Sequence, residues 1–200
     1  KVMQAIIDKF LDYNKKWAKD QVQDNPEYFD LLTEGQSPEA LLIGCSDSRV
    51  SPSVVIGAEL GEVFIHRNIA NVVAHSDLNF LSVLQYAVEV LKVEHLIVYG
   101  HYGCGGVKAA MSDKNYGLID NWLAHIKDII RLNQNELDEI VEEEKYFDRV
   151  VELNVLEQVK NLKQSSVYRK ALQNGQHLKV HAWVYDFSNG KVKVLEKVKS

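Results

Sequence analysis

The chain has 200 residues, 46% of them apolar and 26% charged, with a formal net charge of -5. These values describe one globular domain with a full core, and the acidic balance excludes the basic footprint that a nucleic-acid partner requires. No stretch approaches the ~18 apolar residues of a membrane-spanning helix, none reads as a signal peptide, and two cysteines without a disulfide framework suit a reducing, cytoplasmic compartment.

Residues 2–19 predict an amphipathic helix. Met3, Ile6, Ile7, Phe10, Tyr13 and Trp17 recur at helical spacing, with Lys9, Lys15, Lys16 and Lys19 between them. Such a helix either packs on its own core or reaches a partner subunit. About twenty residues of connection follow. After Pro38, the apolar run Ala40-Leu41-Leu42-Ile43-Gly44-Cys45 reads as a buried strand. It opens into the polar loop Ser46-Asp47-Ser48-Arg49-Val50. Val63-Phe64-Ile65-His66 follows the turn Glu59-Leu60-Gly61-Glu62 as a short second strand. Asn79 to Lys92 predicts a helix with Leu81, Leu84, Val88 and Leu91 on one face.

The third strand, His95-Leu96-Ile97-Val98-Tyr99, runs into Gly100-His101-Tyr102-Gly103-Cys104-Gly105-Gly106, and Val107-Lys108-Ala109-Ala110 can start a helix. Strand, glycine turn and helix place His101 and Cys104 at the C-terminal end of a strand, where open α/β sheets bind ligands. Cysteine sulfur and histidine nitrogen three residues apart chelate zinc, and a catalytic zinc needs a third protein ligand and an open position for water. Cys45 is the only other cysteine and also stands at a strand end. A free cysteine is commonly a small buried hydrophobe. Two thiols at matching strand ends, beside a histidine and a charged Asp-x-Arg, argue instead for a Cys45–His101–Cys104 metal set.

Residues 117–134 and about 138–163 predict helices with Trp122, Ile126, Ile129, Val155, Leu156 and Val159 as core candidates. The acidic run Glu136 to Glu144 reads as a solvated helix face. Ser166 to Asn174 predicts a helix stopped by Gly175. His177 to Phe187 alternates as a strand, on which His177 and His181 share a face, and Ser188-Asn189-Gly190 turns it into a last strand from Lys191 to Val198. Strands alternating with helices imply an α/β fold: a mostly parallel central sheet flanked by helices, with an antiparallel C-terminal hairpin and a protruding N-terminal helix.

Cys45-Ser46-Asp47-Ser48-Arg49 with His101-x-x-Cys104 resembles the β-class carbonic anhydrases. Phe64-Ile65-His66-Arg67-Asn68-Ile69-Ala70-Asn71 is similar to the family's Arg-Asn-x-Ala-Asn segment, and Gly103-Cys104-Gly105-Gly106 continues the likeness. The resemblance covers nearly the whole chain. It implies one Zn2+ per chain on Cys45, His101 and Cys104, and reversible hydration of CO2 to bicarbonate and a proton by a zinc-bound hydroxide. It implies that an ionised Asp47, paired with Arg49, orients that hydroxide; in some members this aspartate moves onto zinc as a fourth ligand when its arginine is lost, an inactive state. Regulated bacterial forms carry a tryptophan three residues before the first zinc cysteine, where Leu42 stands here, although Arg67 and Tyr185 match that regulatory bicarbonate pocket. Gln36, Phe64 and Tyr86 match the substrate pocket of the plant-like, unregulated form, with the Gly105 amide as an oxyanion donor. The resemblance further implies a homo-oligomer, a dimer or dimer of dimers, with residues 1–34 as an N-terminal arm across the neighbouring subunit, 35–200 as the zinc-binding core, and Gln36 and Tyr86 acting from the other chain. Hydrolysis of carbonyl sulfide or carbon disulfide on the same scaffold, and a non-enzymatic zinc-stabilised bicarbonate sensor, stay open as alternatives.

Overall fold

The computed structural model describes the backbone of residues 2–195 and the side chains of residues 5–195. The chain divides into two compact units, Lys1–Gln36 and Ser37–Ser200.

The first unit holds α1 (Val2–Asp24) and α2 (Tyr28–Thr33). Helix α1 runs five residues past the predicted end. Its predicted apolar face lies open: Ile6, Ile7, Phe10 and Tyr13 are exposed. Toward its C-terminal half an aromatic cluster forms, where Trp17 meets Phe29 edge-on at 5.8 Å and Tyr28 at 6.3 Å. The side chain of Met3 lies outside the described residues.

The second unit contains β1 (Ala40–Cys45), α3 (Pro52–Ile56), β2 (Val63–Asn68), α4 (Leu78–Gln85), β3 (His95–His101), α5 (Gly105–Ala110), α6 (Ile119–Leu132), α7 (Gln134–Leu137), α8 (Glu143–Gln164), α9 (Ser166–Gln173), β4 (Lys179–Asp186) and β5 (Lys191–Val194). The sheet order is β2-β1-β3-β4-β5, with the first four strands parallel and β5 antiparallel to β4. All six residues of β1 are buried, as a central parallel strand covered on both faces requires.

Alternation divides β1 and β3 between two cores. Leu41, Ile43, Cys45, Leu96 and Val98 face the larger one, with Leu123 and Ile126 of α6 and Val150, Val151 and Val155 of α8. Leu42, Ile97 and Tyr99 face a smaller one with Ile56, Trp183, Tyr185 and Phe187. Of the predicted helical core, Ile126, Ile129 and Val155 are buried, and Trp122, Leu156 and Val159 pack against it.

Further boundaries differ from the sequence reading: the helix predicted from about 138 begins as α8 at Glu143, after the separate α7, so residues 138–142 of the acidic run are not helical. Strand β2 extends to Asn68, because β1 pairs with it in register as far as Cys45↔Asn68. The predicted 79–92 helix is α4 followed by a π-helical turn over Tyr86–Val90, closed by the Leu91 amide on the Tyr86 carbonyl at 3.0 Å. His177 precedes β4 rather than lying on it; the imidazole that meets His181 is His95, with Nδ1 and Nε2 2.9 Å apart. The last strand is described through Val194; residues 196–198 lie outside the described residues.

Gly100, immediately before His101, shows how closely α8 approaches β3. A Cβ there would stand 2.5 Å from Val155 Cγ2 and 3.5 Å from Asn71 Oδ1. Gly100→Ala should therefore cost about 1–3 kcal/mol by overpacking, read as a lowered Tm in thermal unfolding. An unchanged Tm would mean that α8 yields without cost.

Candidate metal centre

Strands β1 and β3 are neighbours, so their C-terminal ends bring Cys45 beside the His101 turn. Cys45, His101 and Cys104 are all buried, and their ligand atoms lie within 4.8 Å of one another. The two sulfurs are 3.9 Å apart. Two thiolates each ~2.3 Å from one tetrahedral zinc stand about 3.8 Å apart, so the observed pair already has the spacing the ion demands.

The histidine is equally prepared. His101 Nδ1 lies 3.0 Å from the Tyr102 carbonyl oxygen. A carbonyl only accepts, so Nδ1 carries the proton and Nε2 keeps its lone pair. That Nε2 is buried and has no hydrogen-bond partner. An orphaned buried acceptor beside two thiols is a costly arrangement in an apolar core and fits a metal ligand. No other group of three or more metal-ligating side chains occurs among the described residues. The acidic run forms no such group; Glu136 pairs with Arg149 instead.

Backbone amides surround both sulfurs. The contact with Cys104 and, against the opposing effect of burial, the amides of Asp47 and Ala70 hold Cys45 on the thiolate side. Cys104, as the partner that keeps the proton, is pushed up by Cys45 and by burial, while the amides of Val107 and Gly106 pull the other way. Beside the site, Ala70 and Asn71 adopt left-handed conformations, with φ of 61° and 49°. For non-glycine residues this stores on the order of 1–2 kcal/mol each. Helix α8 holds the strained turn in place: Asn154 Nδ2 donates to the Ala70 carbonyl at 3.0 Å, and Gln158 Oε1 accepts from the Val73 amide at 2.7 Å. Gly106 lets α5 lie against it, since a Cβ there would be 2.8 Å from Ile69 Cγ2.

Asp47 sits next to the three ligands, with Oδ2 3.8 Å from His101 Nε2. Arg49 grips it as a fork: Nε donates to Oδ1 at 3.0 Å, one terminal nitrogen to Oδ2 at 2.7 Å, and the Arg49 amide to Oδ1 at 2.9 Å. Those Arg49 side-chain bonds hold the Asp47 carboxyl well below the usual carboxylate range.

Phe187 carries no sequence signal, and Arg67 is marked in the sequence only by its likeness to a regulatory bicarbonate pocket. Phe187 seats the Arg49 guanidinium 4.5 Å from its ring centroid and meets the His101 ring at 5.3 Å. Arg67 bonds the carbonyls of Cys45, Asp47 and Val50 at 2.8, 2.8 and 2.7 Å, pinning the loop that carries Asp47.

Phe64 lies apart from this trio. Phe64 and Tyr86 form an aromatic pair with centroids 5.8 Å apart. Phe64 pairs with Leu41, four residues before Cys45, which puts it about 13 Å along the strand from that thiol. Gly105 is exposed at the start of α5, and Gln36 is exposed at the end of the first unit.

The carbonic anhydrase family profile matches residues 40–192. A carbonic anhydrase of Emericella nidulans is 44% identical over 193 residues, covering 96% of this chain and 85% of that one. Among solved structures, a tetrameric β-carbonic anhydrase of Sordaria macrospora superposes with a TM-score of 0.90 at 38% identity, covering 96% of this chain and 98% of that one. The β-carbonic anhydrase CafA of Aspergillus fumigatus gives 0.92 at 39% identity, over 97% and 92%. With its buried Cys-His-Cys triangle at the ends of two parallel strands, this chain belongs to the β-carbonic anhydrase family.

Proposed function

We propose that the chain converts CO2 and water reversibly to bicarbonate and a proton, the reaction of its family. The observation that carries this reading is the orphaned His101 Nε2 facing two sulfurs at zinc spacing, with the Arg49-held Asp47 carboxylate beside it. Cys45, His101 and Cys104 would hold zinc, which would supply the Lewis acidity that makes water a nucleophile near neutral pH. Asp47, ionised and unable to donate, accepts a hydrogen bond from the reacting water and points its lone pair at CO2. Arg49 keeps that carboxylate from turning into the metal triangle, and Phe187 backs the guanidinium. The Gly105 amide offers a donor to the charge developing on the substrate oxygen.

The pocket is of the plant-like, unregulated kind. Leu42 is fully buried in the smaller core, and three donations to loop carbonyls occupy Arg67, which supports a structural use of that arginine rather than a bicarbonate site. Gln36, Phe64 and Tyr86 serve the centre of a neighbouring subunit, as the distance of Phe64 from its own Cys45 favours. The enzyme is a cytoplasmic homo-oligomer, a dimer or dimer of dimers, in which residues 1–34 are the assembling arm. The open apolar stripe Ile6, Ile7 and Phe10 supports that role. Deleting residues 1–19 should dissociate the assembly in light scattering and lower activity; a truncated chain that stays oligomeric and fully active would refute the arm.

Stopped-flow CO2 hydration by zinc-loaded protein from about pH 6.5 to 9 tests the reaction. Activity rising from near neutrality is expected. Activity confined to the alkaline end would overturn the unregulated reading, and none at any pH would overturn the reaction itself.

A further inference from the structure

Tyr102 stands between His101 and Cys104 and uses every polar group it has. Its amide donates to the Tyr185 carbonyl at 3.0 Å, its carbonyl accepts from His101 Nδ1 at 3.0 Å, and its phenol donates to Glu152 Oε1 at 2.7 Å. Glu152 lies on α8, with a side chain only 12% exposed. Two cations hold it: Arg149 donates to Oε2 at 2.9 Å, and Lys193 of β5 donates to Oε1 at 2.7 Å. Arg149 is anchored in turn by Glu136, and the Lys193 ammonium lies 6.0 Å from the Tyr102 ring centroid. Helix α8 and strand β5 thus converge on one phenol.

We propose that Glu152 is a positioning residue for the metal centre: by clamping the Tyr102 phenol it fixes the Tyr102 carbonyl that sets the ring orientation and tautomer of His101. The inference rests on Cys45, His101 and Cys104 being the zinc site. The physical reason is leverage. Strand β3 ends at His101, and the turn that follows contains a left-handed glycine, Gly103, with φ of 65°, so the Tyr102 carbonyl lies beyond the strand. A partner of a ligating imidazole tunes affinity only if it is itself immobile. A charge-assisted bond from a half-buried phenol to a carboxylate pinned by two cations supplies that immobility. A tie that merely joined α8 and β5 to the turn would affect global stability and leave the metal's surroundings unchanged.

The test uses full-length zinc protein and its Co2+-substituted form, in wild type, Tyr102→Phe, Glu152→Gln and the double variant. The readouts are the rate of zinc transfer to excess chelator, the visible Co2+ spectrum and Tm. Tyr102→Phe should release zinc about 10-fold or more faster and shift the Co2+ bands, the usual range for partners of metal-binding histidines being about 10- to 100-fold. Glu152→Gln should act in the same direction. The double variant should release zinc no faster than Tyr102→Phe alone, because both changes act through one contact. Unchanged zinc release and spectrum with a lowered Tm, or additive effects, would overturn the proposal. If Tyr102→Phe does not fold, Glu152→Gln decides: faster release supports the clamp and unchanged release overturns it. Failure of wild type to bind zinc or Co2+ stoichiometrically would instead refute the metal site.

Discussion

A Cys104→Ser variant should purify without stoichiometric zinc and lose at least ~10³-fold in CO2 hydration, since water that is not acidified by a metal has a pKa near 15.7 rather than about 7. Cys104 is 2% exposed, and its sulfur lies 3.9 Å from that of Cys45. A serine oxygen is harder, its hydroxyl is far less acidic than a thiol, and its shorter bond pulls the donor out of the triangle. Zinc content after dialysis and stopped-flow hydration are the measurements. A variant that kept one zinc per chain and more than a tenth of the activity would remove Cys104 from the ligand set.

Arg49→Ala should give the second largest effect. Its side-chain bonds are what keep Asp47 turned toward the loop, and Asp47 Oδ2 is already 3.8 Å from His101 Nε2. Hydrogen bonds to a charged group are worth about 1.5–3 kcal/mol, so activity at neutral pH should drop by about 10- to 100-fold as the freed carboxylate turns into the triangle. The side-chain bonds from Arg49 depress the Asp47 carboxyl pKa, so Asp47 is ionised at neutral pH. Its own stabilising contribution is fully present above the unfolded carboxylate pKa and is lost only as pH falls through the lower folded value. Any rise of wild-type activity between about pH 6.5 and 9 therefore belongs to another group. In Arg49→Ala the residual activity should recover toward alkaline pH. A variant with wild-type activity at pH 7 would show that Arg49 restrains nothing.

The three metal ligands were legible because chemistry-bearing residue types coincide with strand ends and glycine turns. Asp47 and Arg49 were legible because they sit two residues apart in the same loop. The end of β2 was obscured by Arg67 and Asn68, polar residues that complete the ladder beside Cys45. The π-helical turn over Tyr86–Val90 breaks no periodicity strongly enough to be seen in the sequence. Phe187 follows β4 and carries no titratable group, so only its position over Arg49 reveals a role. The partnership of His95 and His181 spans 86 residues and depends on strand register. The amphipathic face of α1 was correctly periodic, but periodicity names an apolar face and not the surface that covers it.

Cys45 and Cys104 are 59 residues apart along the chain. An ion shared by their sulfurs is therefore a cross-link as well as a reagent: it closes a long loop that an unfolded chain would otherwise explore. For a loop of that length, chain entropy puts the constraint at roughly 4 kcal/mol, comparable to a disulfide. The same turn that prepares a catalyst thus fastens the two central strands together at one end, and the protein's endurance under heat or denaturant is tied to how tightly it keeps its metal.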